Sequence, residues 1–178
     1  VYLAAATFRR GAISRFGGRS KDNVETVRWL AFDLDLPDWC DIERAILETM
    51  SDDELQDLWE KQLMDADEIF QLMGLTVHRV DYTGYGLCAY VRITDADQGQ
   101  VDEIDTVYKQ LVQRFNAVAG RRMADAQVTD AGTRLTRLPP CLNTKGTTPR
   151  RARTIRFGDG PAMTLAQLAA IAGANREP

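Results

Sequence analysis

Two stretches of helical period, separated by a pair of short alternating stretches, set the strongest limit on how this chain can fold. The first opens at Ser51 with S-D-D-E, where a serine caps the helix and a glutamate three residues on reaches back. Apolar residues then recur at 55, 58, 59, 63, 66, 69, 70 and 73 until Gly74, which predicts one long amphipathic helix. The second stretch places Val101, Ile104, Tyr108, Leu111, Val112, Phe115 and Val118 on one face and stops at Gly120. Between them, Leu75–Tyr82 and Leu87–Ile93 alternate with the period of two that strands require, and Gly84 and Gly86 supply the turn of a β-hairpin. Upstream, Val27–Asp35 (VRWLAFDLD) is an apolar run bounded by Pro37, which suits a buried strand ending at its acidic residues. Downstream, Ala126–Thr129 reads as a short strand ending at Asp130, Arg134–Leu138 and Arg153–Phe157 as further extended pieces, and Leu165–Ala172 as a short helix.

The central order is strand, helix, strand, strand, helix, strand, the split βαβ of ferredoxin-like and RNA-recognition-motif folds, so the fold class is α+β. In that order the first and fourth strands lie side by side, which predicts that Asp33 and Asp35 meet Asp130 although about a hundred residues separate them. At 178 residues and 44% hydrophobic, the chain has enough for one core and too little for two. No apolar run approaches the roughly 20 residues that span a bilayer, and no secretory signal precedes the first strand, which points to the cytoplasm. The chain begins at Val1 rather than Met, which fits a piece of a longer protein. Cys40, Cys88 and Cys141 are widely spaced and odd in number, so they read as reduced thiols rather than a zinc or redox set.

Charge is segregated along the chain. Residues 1–31 carry a net +4, 32–120 a net −14, 121–157 a net +7 and 158–178 a net −1. An acidic centre between two basic arms suits metal in the middle and phosphate at the edges. Asp33 and Asp35 form D-L-D, and alternation puts both carboxylates on one face of the strand. Two like charges so close raise each other's pKa unless a cation offsets them, which favours a divalent metal; they also suit a strand cap or the start of a solvated turn. With Asp130, three carboxylates match the arrangement that holds two Mg²⁺ or Mn²⁺ ions about 4 Å apart, activating a 3′-hydroxyl and steadying a leaving pyrophosphate. Gly84 and Gly86 expose backbone N–H groups to phosphate or simply make a turn, and Thr83 adds a hydroxyl. Arg134, Arg137 and Lys145 follow Asp130, with Asn143 among them, and Arg150, Arg151, Arg153 and Arg156 come next. Arginine forks onto phosphate oxygens, while the same residues also make a solvated basic loop. The one histidine, His78, has no partner at metal spacing and reads as structural.

Taken together, LAFDLDL at Asp33 and Asp35, TGYGLCAY from Thr83 to Tyr90, VTD at Asp130 and RLTRLPPCLNTK from Arg134 to Lys145 resemble the archaeo-eukaryotic primase superfamily, in particular the small primase-polymerases of plasmids, phages and mobile elements. That family carries D-x-D on a strand, S/T-G-x-G-x-H-x-Y on a hairpin, and a hydrophobic-Asp strand followed by R-x-x-R-x-P-G-T-x-N-x-K. The resemblance covers roughly residues 1–157, read as the catalytic core, with 158–178 a short C-terminal extension of the same domain. It implies a primase-polymerase core built on the βαββαβ sheet plus an N-terminal α/β unit. It further implies a template-dependent DNA primase-polymerase, a nucleotidyltransferase, with Asp33, Asp35 and Asp130 as metal ligands for two Mg²⁺ or Mn²⁺ ions. Thr83, Gly84, Gly86, Cys88, Arg134, Arg137, Asn143 and Lys145 are then expected at the nucleotide, and Arg19, Lys21, Arg150, Arg151 and Arg153 at the nucleic acid. Nucleoside triphosphates and a DNA template or primer are the implied partners, with a helicase or further domain of a longer chain beside them.

Two departures stand out. Cys88 occupies the histidine position, and a thiol is a poor donor to a triphosphate. Pro140 and Cys141 replace Gly-Thr. The alternative is a catalytically weakened nucleic-acid-binding or replication-initiation module of the same fold. A third reading, an RNA-recognition-type sheet, needs stacking aromatics on its central strands, for which Phe32 and Tyr90 are the candidates.

Overall fold

The computed structural model describes residues 2–4, 6–8, 23–127, 130–131, 135–137 and 139–173. Its elements are β1 (Tyr2–Ala4), β2 (Ala6–Phe8), β3 (Val24–Asp35), α1 (Leu36–Cys40), α2 (Arg44–Thr49), α3 (Asp52–Met73), β4 (Arg79–Tyr82), β5 (Gly86–Asp97), α4 (Val101–Ala119), β6 (Leu135–Arg137), β7 (Cys141–Asn143), β8 (Arg150–Phe157) and α5 (Leu165–Gly173). One six-stranded sheet runs β2-β3-β5-β4-β8-β7, and β1 pairs separately with β6. Every described strand pairing is antiparallel.

The long helix forms as its sequence requires. Ser51 and Glu54 complete a capping box at the start of α3, and Gly74 takes the left-handed conformation (φ 71°) that ends it. Its inner stripe buries Leu55, Trp59, Ala66, Ile69, Phe70 and Met73, while α4 buries Ile104, Tyr108, Leu111, Val112 and Phe115. Both helices cover one face of the sheet. Phe32 of β3 fills the space between them, edge-on to Phe70 at 5.2 Å and to Tyr108 at 5.6 Å, and is fully buried. Phe32 thus faces the helices rather than solvent, and Tyr90 is only 2% exposed, so neither serves as the open stacking platform of an RNA-recognition sheet.

The β4–β5 hairpin and the central order β3-β5-β4 match the pattern of the sequence. The short strand expected at Ala126–Thr129 differs: residues 126–127 form a turn, and 128–129 lie outside the described residues. The extended contact falls earlier, at a bridge between Ala124 and Leu34, where Asp35 N–H donates to Met123 O (3.2 Å) and Asp125 N–H to Asp33 O (2.9 Å). A helix side chain explains this placement. The Asn116 Oδ1 accepts from the N–H groups of both Met123 and Ala124 at 2.8 Å, and its Nδ2 donates to Ala124 O at 2.9 Å. This pins the segment without any periodic pattern in its own sequence. The opposite end of that edge of β3 is taken by β2, paired from Ala6 against Val27 to Phe8 against Val24. No helix among the described residues is long and apolar enough to cross a membrane.

Candidate active site

Register decides which side chains share the sheet face turned away from α3 and α4. Asp33 lies opposite Cys88, Cys88 opposite Asp81, and Asp81 opposite Thr154, so these residues form one row across β3, β5, β4 and β8. Asp33 and Asp35 are both half-buried at the end of β3. Asp35 lies opposite Gly86, whose missing side chain is required there: a Cβ would run into the Leu34 carbonyl oxygen. Gly84 has φ 110°, and a Cβ on it would come within 2.9 Å of Arg150 Cβ and 3.0 Å of Asn143 Cβ. Both glycines therefore have a packing reason. The Thr83 hydroxyl closes the same turn, donating to Gly86 O at 3.1 Å.

The acidic end of β3 is electrostatically loaded. Burial pushes the Asp35 carboxyl up to about 6, and the charges of Asp33, Asp38 and Asp125 push in the same direction against Arg44. The sequence does not single out Asp125; it arrives because its backbone bonds to Asp33, as described above. Among the described residues no three His, Cys, Asp or Glu side chains are grouped closely enough to hold a metal ion. Asp33 and Asp35 come together, while Asp130 lies exposed on its loop beside Ala131, whose N–H donates to Asp105 Oδ1 at 2.8 Å. The chemistry of the pair nonetheless fits a hard divalent cation: two neighbouring carboxylates, one whose ionised form is disfavoured by burial and like charge, are a donor set that Mg²⁺ or Mn²⁺ relieves.

Cys88 is 3% exposed and sits between two carboxylates. Asp81 on its other side is 1% exposed, pairs with Arg79 at 2.8 Å, and leaves Oδ2 without a hydrogen-bond partner among the described residues. Its place in the alternation of R-V-D-Y was the available signal.

The basic residues divide into distinct environments. Asn143 is buried and joins the hairpin to the basic loop, its Nδ2 donating to Thr83 O (2.7 Å) and its Oδ1 accepting from Lys145 N–H (3.0 Å), while Lys145 itself is exposed. Arg150 is buried too, bonded to Asp52 and to Met50 O (2.6 Å), with its guanidinium over the Tyr85 ring. Its role in the structure is to tie β8 to α3. Arg151 and Arg153 are exposed, and Arg153 lies 5.5 Å over Trp59 and 5.9 Å over Tyr82. Arg153 pairs with Tyr82, which pairs with Leu87, which pairs with Leu34, so both arginines face the helix side and not the side of Asp33. They border a groove of about 420 Å³ together with Gln56, Trp59 and Tyr82. Arg19, Lys21 and Arg134 lie outside the described residues, and of Arg137 the structure describes only its backbone pairing with Tyr2.

A curled antiparallel sheet with two long helices on one face is an arrangement shared with a solved primase-polymerase domain. The chain superposes on the solved archaeo-eukaryotic-primase (AEP) domain of the cyanophage S-2L primase-polymerase (PrimPol) with a TM-score of 0.54, at 16% identity, covering 96% of this chain and 68% of that one. No protein-family model and no curated protein sequence matches the chain.

Proposed function

We propose that the chain is a template-dependent nucleotidyltransferase of the archaeo-eukaryotic primase superfamily, of the small primase-polymerase type. The observation that carries this is the placement of Asp33 and Asp35 together at the end of β3, against the glycine hairpin, in a sheet that superposes on a primase-polymerase domain. Asp33 and Asp35 would hold the divalent ions, and Asp130, on the loop tethered through Ala131 to Asp105, is the proposed third ligand. Two such ions, Mg²⁺ or Mn²⁺, would supply the positive charge that lowers the cost of ionising the 3′-hydroxyl and of expelling pyrophosphate. In the transfer, the 3′-hydroxyl gives up its proton to solvent, its oxygen bonds to the α-phosphorus, the bond from that phosphorus to the oxygen bridging to the β-phosphate breaks, and pyrophosphate leaves with the electron pair. The Thr83–Gly86 turn, Cys88 and the set Arg134, Arg137, Asn143 and Lys145 position the triphosphate; Arg19, Lys21, Arg151 and Arg153 contact template or primer.

Primer extension on a DNA template with Mg²⁺ or Mn²⁺ and all four nucleotides tests this. Wild type should extend, and Asp33→Ala, Asp35→Ala and Asp130→Ala should each abolish extension while retaining a cooperative melt. Extension undiminished in all three variants would overturn the assignment. A second reading, the weakened module of the same fold, is favoured by one feature: a buried thiol between two carboxylates where the family pattern has histidine. Cys88→His separates the two. A hydrogen bond to a charged group is worth about 1.5–3 kcal/mol, so in a working site the substitution should lower the nucleotide KM about ten- to a hundredfold. In a weakened module it should restore nothing.

A further inference from the structure

The row two residues along from Asp33 holds Ala31, Tyr90, Arg79 and Phe157, and the next holds Trp29 opposite Arg92. All share the face of Asp33. Along these rows, the residues near β3 and β5 are largely buried, but Phe157 at the far end is 74% exposed, the Arg92 side chain is exposed and Trp29 is half-buried. A large aromatic ring left in water on a sheet face carries a cost unless something covers it.

This ring is held in place. The Arg79 guanidinium lies 5.7 Å from the Phe157 ring centre and 5.5 Å from that of Tyr90, and is fixed by Asp81 Oδ1 (2.8 Å) and the Thr154 hydroxyl (3.2 Å). Trp29 packs edge-on against Tyr90 and His78, each at 6.4 Å. The His78 ring is tied at both nitrogens, to Arg92 N–H (3.1 Å) and Pro161 O (3.1 Å). An aromatic plane and an arginine plane, fixed in advance, with an exposed guanidinium alongside, suit the flat base and anionic phosphate of a nucleic-acid strand better than an apolar protein segment. Phe157 lies three interstrand spacings across and two residues along from Asp33, about 16 Å at roughly 4.8 Å per spacing and 3.4 Å per residue. That offset lies outside the two carboxylates and leaves room for a strand beside the reacting nucleotide.

We propose that Phe157 and Arg79, with Arg92 and Trp29, form a binding surface for single-stranded DNA on the same sheet face as Asp33. A base stacks on the exposed Phe157 ring, which Arg79 holds from behind, and a neighbouring phosphate meets Arg92. The surface deepens the function proposed above and rests on it for the identity of the strand.

Anisotropy titrations of the full chain with a fluorescent single-stranded oligonucleotide, at several salt concentrations, test it. Stacking one base predicts that Phe157→Ala weakens binding about 5- to 100-fold with little change in salt slope, and that Phe157→Trp retains the affinity. Arg92→Ala should flatten the slope by about 0.7. Because Phe157 is exposed, its variants should melt as wild type does. Wild-type affinity in both Phe157→Ala and Arg92→Ala overturns this surface and leaves the function proposed above standing. If the wild-type chain binds no DNA, that function falls and this surface with it. A surface made for a protein partner would show as wild-type DNA affinity in both variants, which again overturns the proposal.

Discussion

Asp35 is the residue whose environment does most to define the site. It takes up its proton near 3.8 in the unfolded chain but at about 6 in the folded one. Between those values the folded state binds more protons, so stability falls as pH rises from about 4 to about 6, and the deficit persists above that window. The expected consequence is that Asp35→Asn raises the Tm at about pH 7.5 and leaves it nearly unchanged at about pH 4. The gain is on the order of 1 kcal/mol once solvent screening at a partly exposed group is allowed for. Mn²⁺ should raise the wild-type Tm at the higher pH and leave Asp35→Asn unmoved, because the ion relieves the same repulsion. Melts at the two pH values with and without Mn²⁺ check both parts, and an Asn variant no more stable than wild type at pH 7.5 would refute the burial argument. Sequence showed the pair itself, since D-x-D on a strand has only one geometry. It did not show Asp125, which reaches the pair through a backbone hydrogen bond set up by the Asn116 side chain.

The hairpin shows how much of an element's fate hangs on one missing atom. A Cβ on Gly86 would collide with the Leu34 carbonyl oxygen and approach Leu36 N at 3.1 Å, where Leu36 N–H also donates to Tyr85 O at 3.2 Å. Both neighbours are backbone and cannot step aside. Gly86→Ala should therefore cost on the order of 2–4 kcal/mol in denaturant titration and, by prising β5 from β3 beside Asp35, remove extension activity. Gly74→Ala is the matched comparison. Its Cβ meets open space, so only the left-handed conformation is penalised, about 1–2 kcal/mol, with activity intact. A loss at Gly86 no larger than that at Gly74 would show that the backbone around it yields to a methyl group and that close approach is not what Gly86 provides. The hairpin and both long helices were legible because periodicity and caps are local signals. By contrast, β2, β7 and the 123–125 bridge are three residues long or shorter, too brief for a period, and are fixed by partners distant in sequence. The burial of Asn143 and Arg150 was not legible in a basic stretch, because composition alone does not distinguish a guanidinium bonded to Asp52 from one that faces solvent.

At the scale of the whole molecule the sheet sorts its cations by face, and that sorting can be measured. Arg151 and Arg153 flank the groove on the helix side, while Arg92 and Phe157 belong to the face of Asp33. A strand passing round the short edge formed by β7 and β8 meets both sets, and no described contact joins them directly. Substitutions on the two faces should therefore add in free energy, as separate sites do. In oligonucleotide binding across a salt series, Arg151→Ala with Arg153→Ala should lower the salt slope by about 0.7 to 0.9 for each phosphate no longer neutralised. Adding Phe157→Ala should then weaken binding by the same factor as it does alone. Arg150→Ala should behave differently. It strips β8 of its bonds to Asp52 and Met50 O and its packing on Tyr85, so its effect is on the order of 2–4 kcal/mol of stability, and the salt slope of the remaining folded protein stays as in wild type. An unchanged slope in the Arg151, Arg153 variant would mean that these arginines serve to cover Trp59 and Tyr82, and the path of the nucleic acid would then lie wholly on the face of Asp33.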